Sequence, residues 1–339
     1  MKFLLISTGG TIASVASKDG LKPALTGEKL LESCPLMMGF DHDLEILDLF
    51  SKDSSNINPS DWLAMVAAIR GKSQDADAIV LLHGTDTMAW TASALSYMLP
   101  DVDIPVVLTG AMTPSGMPGS DAPDNIYAAF QFALQLAMYK RKGISIAFAD
   151  ILIHGPRSTK INSHKKEAFV NVNYPLLGEM ADKTSHKVAW LTQHVPQVFI
   201  KGPWLDVPGE VKFETNIALV PIFPGMQAAW LDAVVAAAPK AVVLEGFGLG
   251  GVPYMGENLL EPIERGISSG IPFILRTQSP FGGTDPSIYE VGRRAQSLGV
   301  ISAQSMTREA LLTKLMLLLP VLGGASLMER LHCNLCDDI

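Results

Sequence analysis

The stretch that decides the fold is Phe3-Leu4-Leu5-Ile6-Ser7-Thr8-Gly9-Gly10-Thr11, in which four apolar residues run into a small, polar turn. The same plan recurs where Ala78-Ile79-Val80-Leu81-Leu82 is followed by His83-Gly84-Thr85-Asp86-Thr87. Short, wholly apolar runs of this kind are typical of buried parallel strands. Ligands of an open α/β sheet gather beyond the carboxyl ends of its strands. The sequence therefore predicts that Thr11 and Thr85 line one crevice.

Strand-like and helical patterns alternate through the first half of the chain. Asn58-Pro59-Ser60-Asp61 supplies an N-cap, a proline and an acid in the first turn, and predicts a helix that runs through Ile69. Helical apolar spacing continues from Thr85 to Leu99, and Asp124 is expected to cap a helix over Ile126 to Tyr139. The run from Ile144 to Ile153 predicts a strand. This alternation favours a mostly parallel sheet with helices on both faces.

The domain organisation follows from length and from a change in pattern. A chain of 339 residues is longer than a single core usually grows. Periodicity fades from about Asp182 to Pro208, and a smaller strand–helix alternation follows. We predict an α/β protein with a larger N-terminal domain over 1–185 that carries both threonine motifs, a linker over 186–208, and a smaller C-terminal α/β domain over 209–339.

The composition is that of a globular enzyme, with 48% apolar and 18% charged residues. The formal net charge of −8 argues against nucleic acid or an anionic membrane as partner, and permits a small-molecule substrate. No run of 18 apolar residues predicts a membrane span, and no leader pattern precedes the first strand. The odd number of cysteines, Cys34, Cys333 and Cys336, favours a reducing cytoplasm. No metal-ligand spacing recurs, so we predict neither metal nor cofactor.

A threonine hydroxyl is a poor nucleophile at neutral pH and needs a nearby group to accept its proton. Histidine is the usual base, and His83, His154 and His164 are the candidates. His83 lies where a strand ends, and the alternative interpretation is that it only hydrogen-bonds a backbone carbonyl. Lys160, in the polar loop that begins at Arg157, is another candidate base if its surroundings favour the neutral amine. Taken by itself, Lys160 also fits a solvated loop charge.

The stretches Thr8-Gly9-Gly10-Thr11-Ile12-Ala13 and His83-Gly84-Thr85-Asp86-Thr87 resemble the two signature stretches of the bacterial-type L-asparaginases. The resemblance covers nearly the whole chain, and it includes Asp53-Ser54-Ser55-Asn56, Leu108-Thr109-Gly110-Ala111, the Lys160 loop, 246–253 and 287–294. The absence of a leader and the Asp-Ser-Ser stretch are similar to the cytoplasmic, type I branch. Two motifs in this order are far more specific than either one alone.

The resemblance implies hydrolysis of L-asparagine to L-aspartate and ammonia through a covalent acyl-enzyme, with some glutaminase activity. Thr11 would be the nucleophile. Lys160 and Thr85 would relay a proton, while Asp86 would bind the α-amino group of the substrate. The residues alone leave open which of the two threonines forms the covalent bond, because both would face the ligand.

The same resemblance implies how the substrate is held. Asp53, Ser54 and Ser55 would bind its α-amino and α-carboxylate ends, and the Ala111 N–H would contribute to an oxyanion hole. Members of the family assemble as dimers or dimers of dimers. A homodimer or homotetramer is therefore implied, with the C-terminal domain of a neighbour completing the pocket.

The sequence departs from the family pattern just after the first motif. Well-known members carry a tyrosine on the mobile loop that follows the nucleophile, whereas Ala13 to Gly27 contains none. Another group must then orient Thr11. The polar segment from Ser14 to Thr26 is predicted to be a lid that excludes water on closing.

Three other interpretations compete with an asparaginase. Gly246-Phe247-Gly248-Leu249-Gly250-Gly251 matches a dinucleotide-binding fingerprint, but Pro253 argues against a helix opening at the third glycine. A non-catalytic amino-acid sensor would keep the pocket and lose turnover, although both threonine motifs are intact. The amidase subunit of a tRNA-dependent amidotransferase resembles the same family, but normally carries an additional N-terminal domain.

Overall fold

A computed structural model of the chain describes residues 1–17, 20–181, 190–193, 196, 198–322 and 326–339, without the side chains of residues 16, 17, 21 and 190. The chain divides into two compact units, Met1–Gly202 with Leu335–Asp337, and Pro203–Asn334 with Asp338–Ile339. The predicted linker over 186–208 lies partly outside the described residues, so the predicted domain limits stay a prediction. None of the helices in the described ranges combines the length and the apolar character that crossing a membrane requires.

The first unit is built on a large sheet. Its strands are β1 (Lys2–Gly9), β2 (Ser14–Ser17), β3 (Gly20–Pro23), β4 (Asp43–Lys52), β5 (Ala78–Leu82), β6 (Pro105–Thr109), β7 (Gly143–Phe148), β8 (Ile151–His154), β9 (Ser158–Lys160), β10 (Phe169–Asn171), β11 (Gly178–Glu179) and β12 (Trp190–Leu191). Eight of them form one sheet in the order β12-β11-β8-β7-β6-β5-β1-β4. The strands from β7 to β4 in this order are parallel, and β8, β11 and β12 extend the sheet antiparallel. The predicted mostly parallel α/β sheet is confirmed.

The helices of the first unit are α1 (Gly27–Glu32), α2 (Pro59–Lys72), α3 (Met88–Met98) and α4 (Ala122–Met138). Helix α2 begins as predicted, with Asn58 as N-cap and Asp61 completing a capping box. Helix α3 is shorter than predicted because Thr85–Thr87 forms a separate 3-10 turn. Helix α4 begins earlier than predicted, with Asp121 rather than Asp124 at its N-cap. Pro123 is accommodated there because the first helical turn requires no N–H from it.

The predicted single strand over 144–153 is two strands, β7 and β8. Ala149 and Asp150 turn the chain between them with φ angles of +48° and +67°. Two successive left-handed residues are what the tightest hairpin turns require. The Ala149 N–H donates to Asn125 Oδ1 at 3.0 Å, which fixes the turn. The prediction was wrong because a turn without glycine leaves little signal within an apolar run.

Both faces of the central strands β1, β5 and β6 are buried, as their apolar sequences predict. Phe3 and Leu5 pack in one core cluster with side chains of α4. Leu4 and Ile6 point to the opposite face, since side chains alternate along a strand, and they are equally buried. Helices α2 and α3 contact the strands β4, β6 and β7. The core therefore holds the strand ends rigidly.

Strand β1 lies between β4 and β5, so the strand order reverses on either side of it. Ser7 of β1 pairs with Leu82 of β5, which brings the carboxyl ends of the two strands side by side. A doubly wound sheet forms its ligand crevice at such a switch point. Both threonine motifs follow directly from these strand ends.

The second unit contains a small parallel sheet with its own core. Its elements are β13 (Ile217–Pro221), α5 (Ala228–Ala236), β14 (Ala241–Gly246), α6 (Leu260–Ser268), β15 (Phe273–Thr277), α7 (Glu290–Ser297), β16 (Ile301–Ser302), α8 (Arg308–Leu318) and α9 (Leu327–Leu331). The strand order is β13-β14-β15-β16, with every pairing parallel. Leu231, Val242, Leu244, Ile263 and Phe273 are buried in its centre. The predicted smaller α/β unit is confirmed.

Candidate active site

The loops that carry the two threonines are in direct backbone contact. Gly10 has a φ of +83°, and a Cβ atom added to it would lie 2.2 Å from the Cα of Gly84. The Thr8 hydroxyl donates to the Leu82 carbonyl at 2.8 Å, which ties the two strand ends together. Only glycine, which lacks a Cβ, permits this approach. The expected convergence of the segments around Thr11 and Thr85 is present.

A third loop, at the end of β4, joins the same cluster. The Thr87 hydroxyl donates to the Ser54 carbonyl at 2.8 Å, and the Asp86 N–H donates to Ser54 Oγ at 3.3 Å. Ser54 is buried, so its side chain supports the neighbouring loop. Asp53 and Ser55 are exposed, and Asp53 Oδ1 accepts the Ser55 N–H at 2.9 Å. Asp53 and Ser55 therefore present polar groups to solvent beside the two threonine loops.

Lys160 reaches the second threonine motif from the other side. Its Nζ atom donates to Thr85 Oγ1 at 2.8 Å and to Asp86 Oδ1 at 2.7 Å. The Lys160 side chain is 17% exposed and that of Asp86 is 56% exposed, so solvent reaches the carboxylate more readily than the ammonium. The Nζ atom therefore lies within the distance at which a proton can pass between an amine group and a hydroxyl. Lys160 is thus not a solvated loop charge.

Two of the three histidine candidates are buried and hydrogen-bonded to backbone carbonyls, and the third is exposed. His83 is fully buried, its Nδ1 donates to the Gly84 carbonyl at 2.7 Å, and its Nε2 lies 3.0 Å from Thr91 Oγ1. Burial lowers the pKa of His83 to about 4, so the ring is neutral and both nitrogens are occupied. His154 donates from Nε2 to the Cys336 carbonyl at 2.8 Å, and His164 is exposed on the surface. The contacts of His83 therefore match its alternative interpretation, in which the ring hydrogen-bonds a backbone carbonyl.

Ala111 lies in a loop whose backbone is held by two buried side chains. Asp121 accepts the N–H groups of Met112 and Thr113, each at 2.9 Å, and Asn125 donates to the Gly110 carbonyl at 3.0 Å. Ala111 itself is fully buried. The loop is therefore fixed in one conformation, and its assignment to an oxyanion hole stays a prediction.

Thr11 opens a 3-10 turn, Thr11–Ala13, and its side chain is partly exposed. The β2–β3 hairpin follows directly, with Ser14 opposite Pro23. Residues 18 and 19, at the tip of the segment predicted to be a lid, lie outside the described residues. The hairpin begins only three positions after Thr11, and its movement would change how much of Thr11 water can reach.

The glycine-rich loop of the second unit lacks the geometry of a dinucleotide site. Phe247 and Gly251 form an isolated bridge, with the Phe247 N–H bonded to the Gly251 carbonyl at 3.0 Å. The next helix, α6, begins only at Leu260. Pyrophosphate groups bind where a helix begins at the end of such a loop. The loop is a tight turn instead.

Sequence reasoning missed several side chains that shape the site from behind. Trp62 donates from Nε1 to Thr91 Oγ1 at 3.0 Å, which leaves the Thr91 proton to point at His83. Asp121 and Asn125 hold the Ala111 loop. Their only signal in the sequence is indirect: Asp121 and Asn125 are four positions apart at a helix start, and a polar Thr91 lies inside an apolar helix.

Comparison with protein families gives two matches that together span most of the chain. The family model described as asparaginase, N-terminal, matches residues 2–194. The model described as glutaminase/asparaginase C-terminal domain matches residues 216–322. The two matched regions contain the two parallel sheets.

Curated relatives include an L-asparaginase of Thermococcus kodakarensis, 40% identical over 93% of this chain and 92% of its own length. A glutamyl-tRNA(Gln) amidotransferase subunit of Methanopyrus kandleri is 32% identical over 99% of this chain and 74% of its own length. Among solved structures, the thermostable L-asparaginase from T. kodakarensis superposes with a TM-score of 0.87 at 37% identity, covering 100% of this chain and 99% of the other. L-asparaginase I from Vibrio cholerae superposes with a TM-score of 0.79 at 28% identity, covering 100% of this chain and 98% of the other.

Proposed function

This chain belongs to the asparaginase family, as its two threonine motifs predict, and we propose that it hydrolyses L-asparagine to L-aspartate and ammonia. The observation that carries the proposal is the contact of Lys160 Nζ with both Thr85 Oγ1 and Asp86 Oδ1, beside the loop of Thr11. The cluster contains a hydroxyl with an adjacent amine, a carboxylate that can bind an ammonium, and a second hydroxyl. Hydrolysis of an amino-acid side-chain amide needs these groups.

In the proposed reaction, Thr11 Oγ1 attacks the side-chain amide carbon of asparagine. The C–N bond then breaks, ammonia leaves with a proton from the enzyme, and an aspartyl ester of Thr11 remains. Water cleaves this ester and regenerates the hydroxyl. The carbonyl oxygen carries negative charge in both steps, and each preorganised donor to it contributes roughly 3–4 kcal/mol of transition-state stabilisation. The Ala111 N–H is the proposed donor.

Lys160 and Thr85 are proposed to move the proton. The short contact between Lys160 Nζ and Thr85 Oγ1 supports this, because proton transfer needs heavy atoms within hydrogen-bond reach. Asp86 is proposed to bind the substrate ammonium. Its carboxylate is more than half exposed, which leaves acceptor positions for a charge-assisted hydrogen bond.

Asp53, Ser54 and Ser55 are proposed to hold the charged ends of the substrate. The exposed Asp53 and Ser55 side chains support direct contacts, whereas the buried Ser54 supports the Asp86 loop as well. Glutamine is one methylene longer than asparagine, which costs only about 1–3 kcal/mol in an apolar fit. We therefore propose a minor glutaminase activity.

The test is ammonia release from purified protein with L-asparagine, L-glutamine and D-asparagine as substrates. We expect turnover of L-asparagine, slower turnover of L-glutamine, and formation of aspartyl hydroxamate when hydroxylamine replaces water as the nucleophile. Ammonia release without any hydroxamate would contradict the acyl-enzyme. No ammonia from L-asparagine would overturn the proposed function.

A second candidate is the amidase role in a tRNA-dependent amidotransferase, favoured by the 32% identity to the M. kandleri amidotransferase subunit over 99% of this chain. Glutamyl-tRNA(Gln) added together with the remaining amidotransferase subunits would then stimulate ammonia release severalfold. We expect no stimulation, since the −8 net charge does not favour nucleic acid.

We also propose that the enzyme is cytoplasmic. The three cysteines are free thiols, which is typical of the reducing cytoplasm.

Large apolar side chains are exposed on the second unit, among them Phe223, Trp230, Met255 and Phe281. Exposed apolar surface of this kind is typical of subunit interfaces. We propose a homodimer or homotetramer, which sedimentation equilibrium measures directly.

A further inference from the structure

The segment Leu335–Asp337 packs within the first unit, although the sequence around it belongs to the second. Each of its three carbonyls accepts a hydrogen bond. The Ile200 N–H donates to the Leu335 carbonyl at 2.8 Å, and His154 Nε2 donates to that of Cys336 at 2.8 Å. Arg157 Nε donates to the Asp337 carbonyl at 2.6 Å. The segment is thus bound along its whole length.

Tyr174 adds a side-chain contact to the same segment. Its hydroxyl donates to Asp337 Oδ2 at 3.1 Å, while its ring stacks on His154 with centroids 4.9 Å apart. The Arg157 guanidinium lies 5.6 Å from the centre of the ring. Burial, together with the neighbouring Asp337, raises the pKa of Tyr174, so the phenol stays protonated and donates.

Arg157 connects this packing to Lys160. It precedes Lys160 by three residues, its side chain is 3% exposed, and its carbonyl accepts the Val172 N–H at 2.7 Å. Strand β9 then carries the chain to Lys160, paired with β10. The backbone of Arg157 is therefore held by Val172, directly after β10, and its side chain is held by the Asp337 carbonyl.

We infer that the segment Leu335–Asp337 is a positioning element for Lys160, acting through Arg157 and Tyr174. The inference rests on the proposed function, in which Lys160 must contact Thr85. A lysine stem is flexible, and Nζ reaches Thr85 Oγ1 only if the backbone of β9 starts from a fixed point. Misplacement by about 1 Å lowers rates roughly a hundredfold in comparable sites.

The variants that test it are Asp337→Ala, Tyr174→Phe, Arg157→Lys and Arg157→Met, each made alone and combined with Lys160→Met. The matched control is Arg141→Lys, because Arg141 also donates to a backbone carbonyl, that of Thr192 at 2.9 Å, but lies at the amino end of β7. Turnover per folded molecule is compared, with folding checked by thermal unfolding. Acylation of Lys160 by acetic anhydride, read by peptide mass spectrometry, reports on the amine without any activity.

We expect Asp337→Ala and Tyr174→Phe to lower kcat by about tenfold and Arg157→Met by about a hundredfold, with Arg157→Lys between them. When these substitutions are combined with Lys160→Met, none of them should lower its residual rate further. In each variant made alone, acylation of Lys160 should become severalfold faster. The Arg141→Lys control should match the unaltered chain in both readouts.

Unchanged kcat and unchanged acylation in both Asp337→Ala and Tyr174→Phe would overturn the inference, even if Arg157→Met does not fold. Losses that multiply with that of Lys160→Met would also overturn it, because the segment would then act on the fold as a whole. If the unaltered chain releases no ammonia, the proposed function fails. The acylation readout then still decides whether the segment orders Lys160.

Discussion

The Nζ atom of Lys160 lies 2.8 Å from the Oγ1 atom of Thr85, although the two residues are 75 positions apart in the chain. The same Nζ atom is 2.7 Å from Asp86 Oδ1, so one ammonium bridges a hydroxyl and a carboxylate. This contact places an amine group within hydrogen-bond reach of a threonine hydroxyl without any histidine.

Replacing Lys160 should stop the chemistry while leaving binding largely intact. Because Lys160→Met removes the group that we propose moves the proton, we expect kcat to fall about 10²–10⁴-fold. Binding of L-aspartate, measured by titration calorimetry, should persist through Asp86. Lys165→Met is the matched control, an exposed lysine in the loop that follows β9. If Lys160→Met abolished aspartate binding, Lys160 would be a binding or structural group.

The two threonines should differ in which of them carries the acyl group. We expect Thr11→Ala and Thr85→Ala each to lower ammonia release by at least about a thousandfold, with Thr215→Ala as a control in the second unit. Peptide mapping by mass spectrometry after acid quenching should find the aspartyl ester on Thr11. Thr85→Ser should retain measurable turnover, because a serine hydroxyl also contacts Lys160. An ester on Thr85 would reverse the assignment.

Gly10→Ala should separate the two threonine loops. Its added Cβ would lie 2.2 Å from Gly84 Cα, at a residue whose φ is +83°. Gly116→Ala is a close control, because Gly116 has a φ of +81° and a Cβ added there would meet no atom within 4 Å. Both changes place a Cβ on a residue with positive φ, but Gly10, with a ψ of −176°, has a backbone conformation that is essentially restricted to glycine, and only Gly10→Ala adds a backbone clash. We expect urea unfolding and kcat to show a much larger loss for Gly10→Ala, and equal losses would contradict the contact.

His83 should make the folded protein sensitive to acid. Burial lowers its pKa from 6.5 to about 4, so the unfolded chain binds more protons between these values. The free energy of unfolding therefore has its full value above pH 6.5. It decreases by up to about 3 kcal/mol as the pH falls towards 4. Urea unfolding at several pH values should show this loss, and His83→Gln should lack it. His164→Gln, at an exposed histidine, should keep it.

Much of the fold follows from the sequence because strand and helix signals are local. The apolar runs of β1 and β5, the capping box of Asn58 and Asp61, and the alternation of the second unit each appear in the structure. The prediction was wrong where local signals were weak, at the Ala149–Asp150 turn and at the start of α4.

The motifs themselves predict which residues belong at the candidate site. Gly-Gly-Thr and Gly-Thr-Asp-Thr after apolar runs place Thr11 and Thr85 at strand ends, and strand ends of a parallel sheet lie at one edge. Those residue types also predict the chemistry that we propose, with a hydroxyl as nucleophile and a carboxylate that binds an ammonium.

Only the tertiary structure decided which basic side chain contacts which hydroxyl. The sequence offered three histidines as candidates and Lys160 as an alternative, and packing buried His83 as a neutral group while it brought Lys160 to Thr85. It also decided that Arg157 would be held by Asp337, which lies 180 positions further along the chain. The physical reason is that hydrogen bonds depend on distances of a few tenths of an ångström, whereas sequence patterns specify only which side of a strand or helix a residue faces.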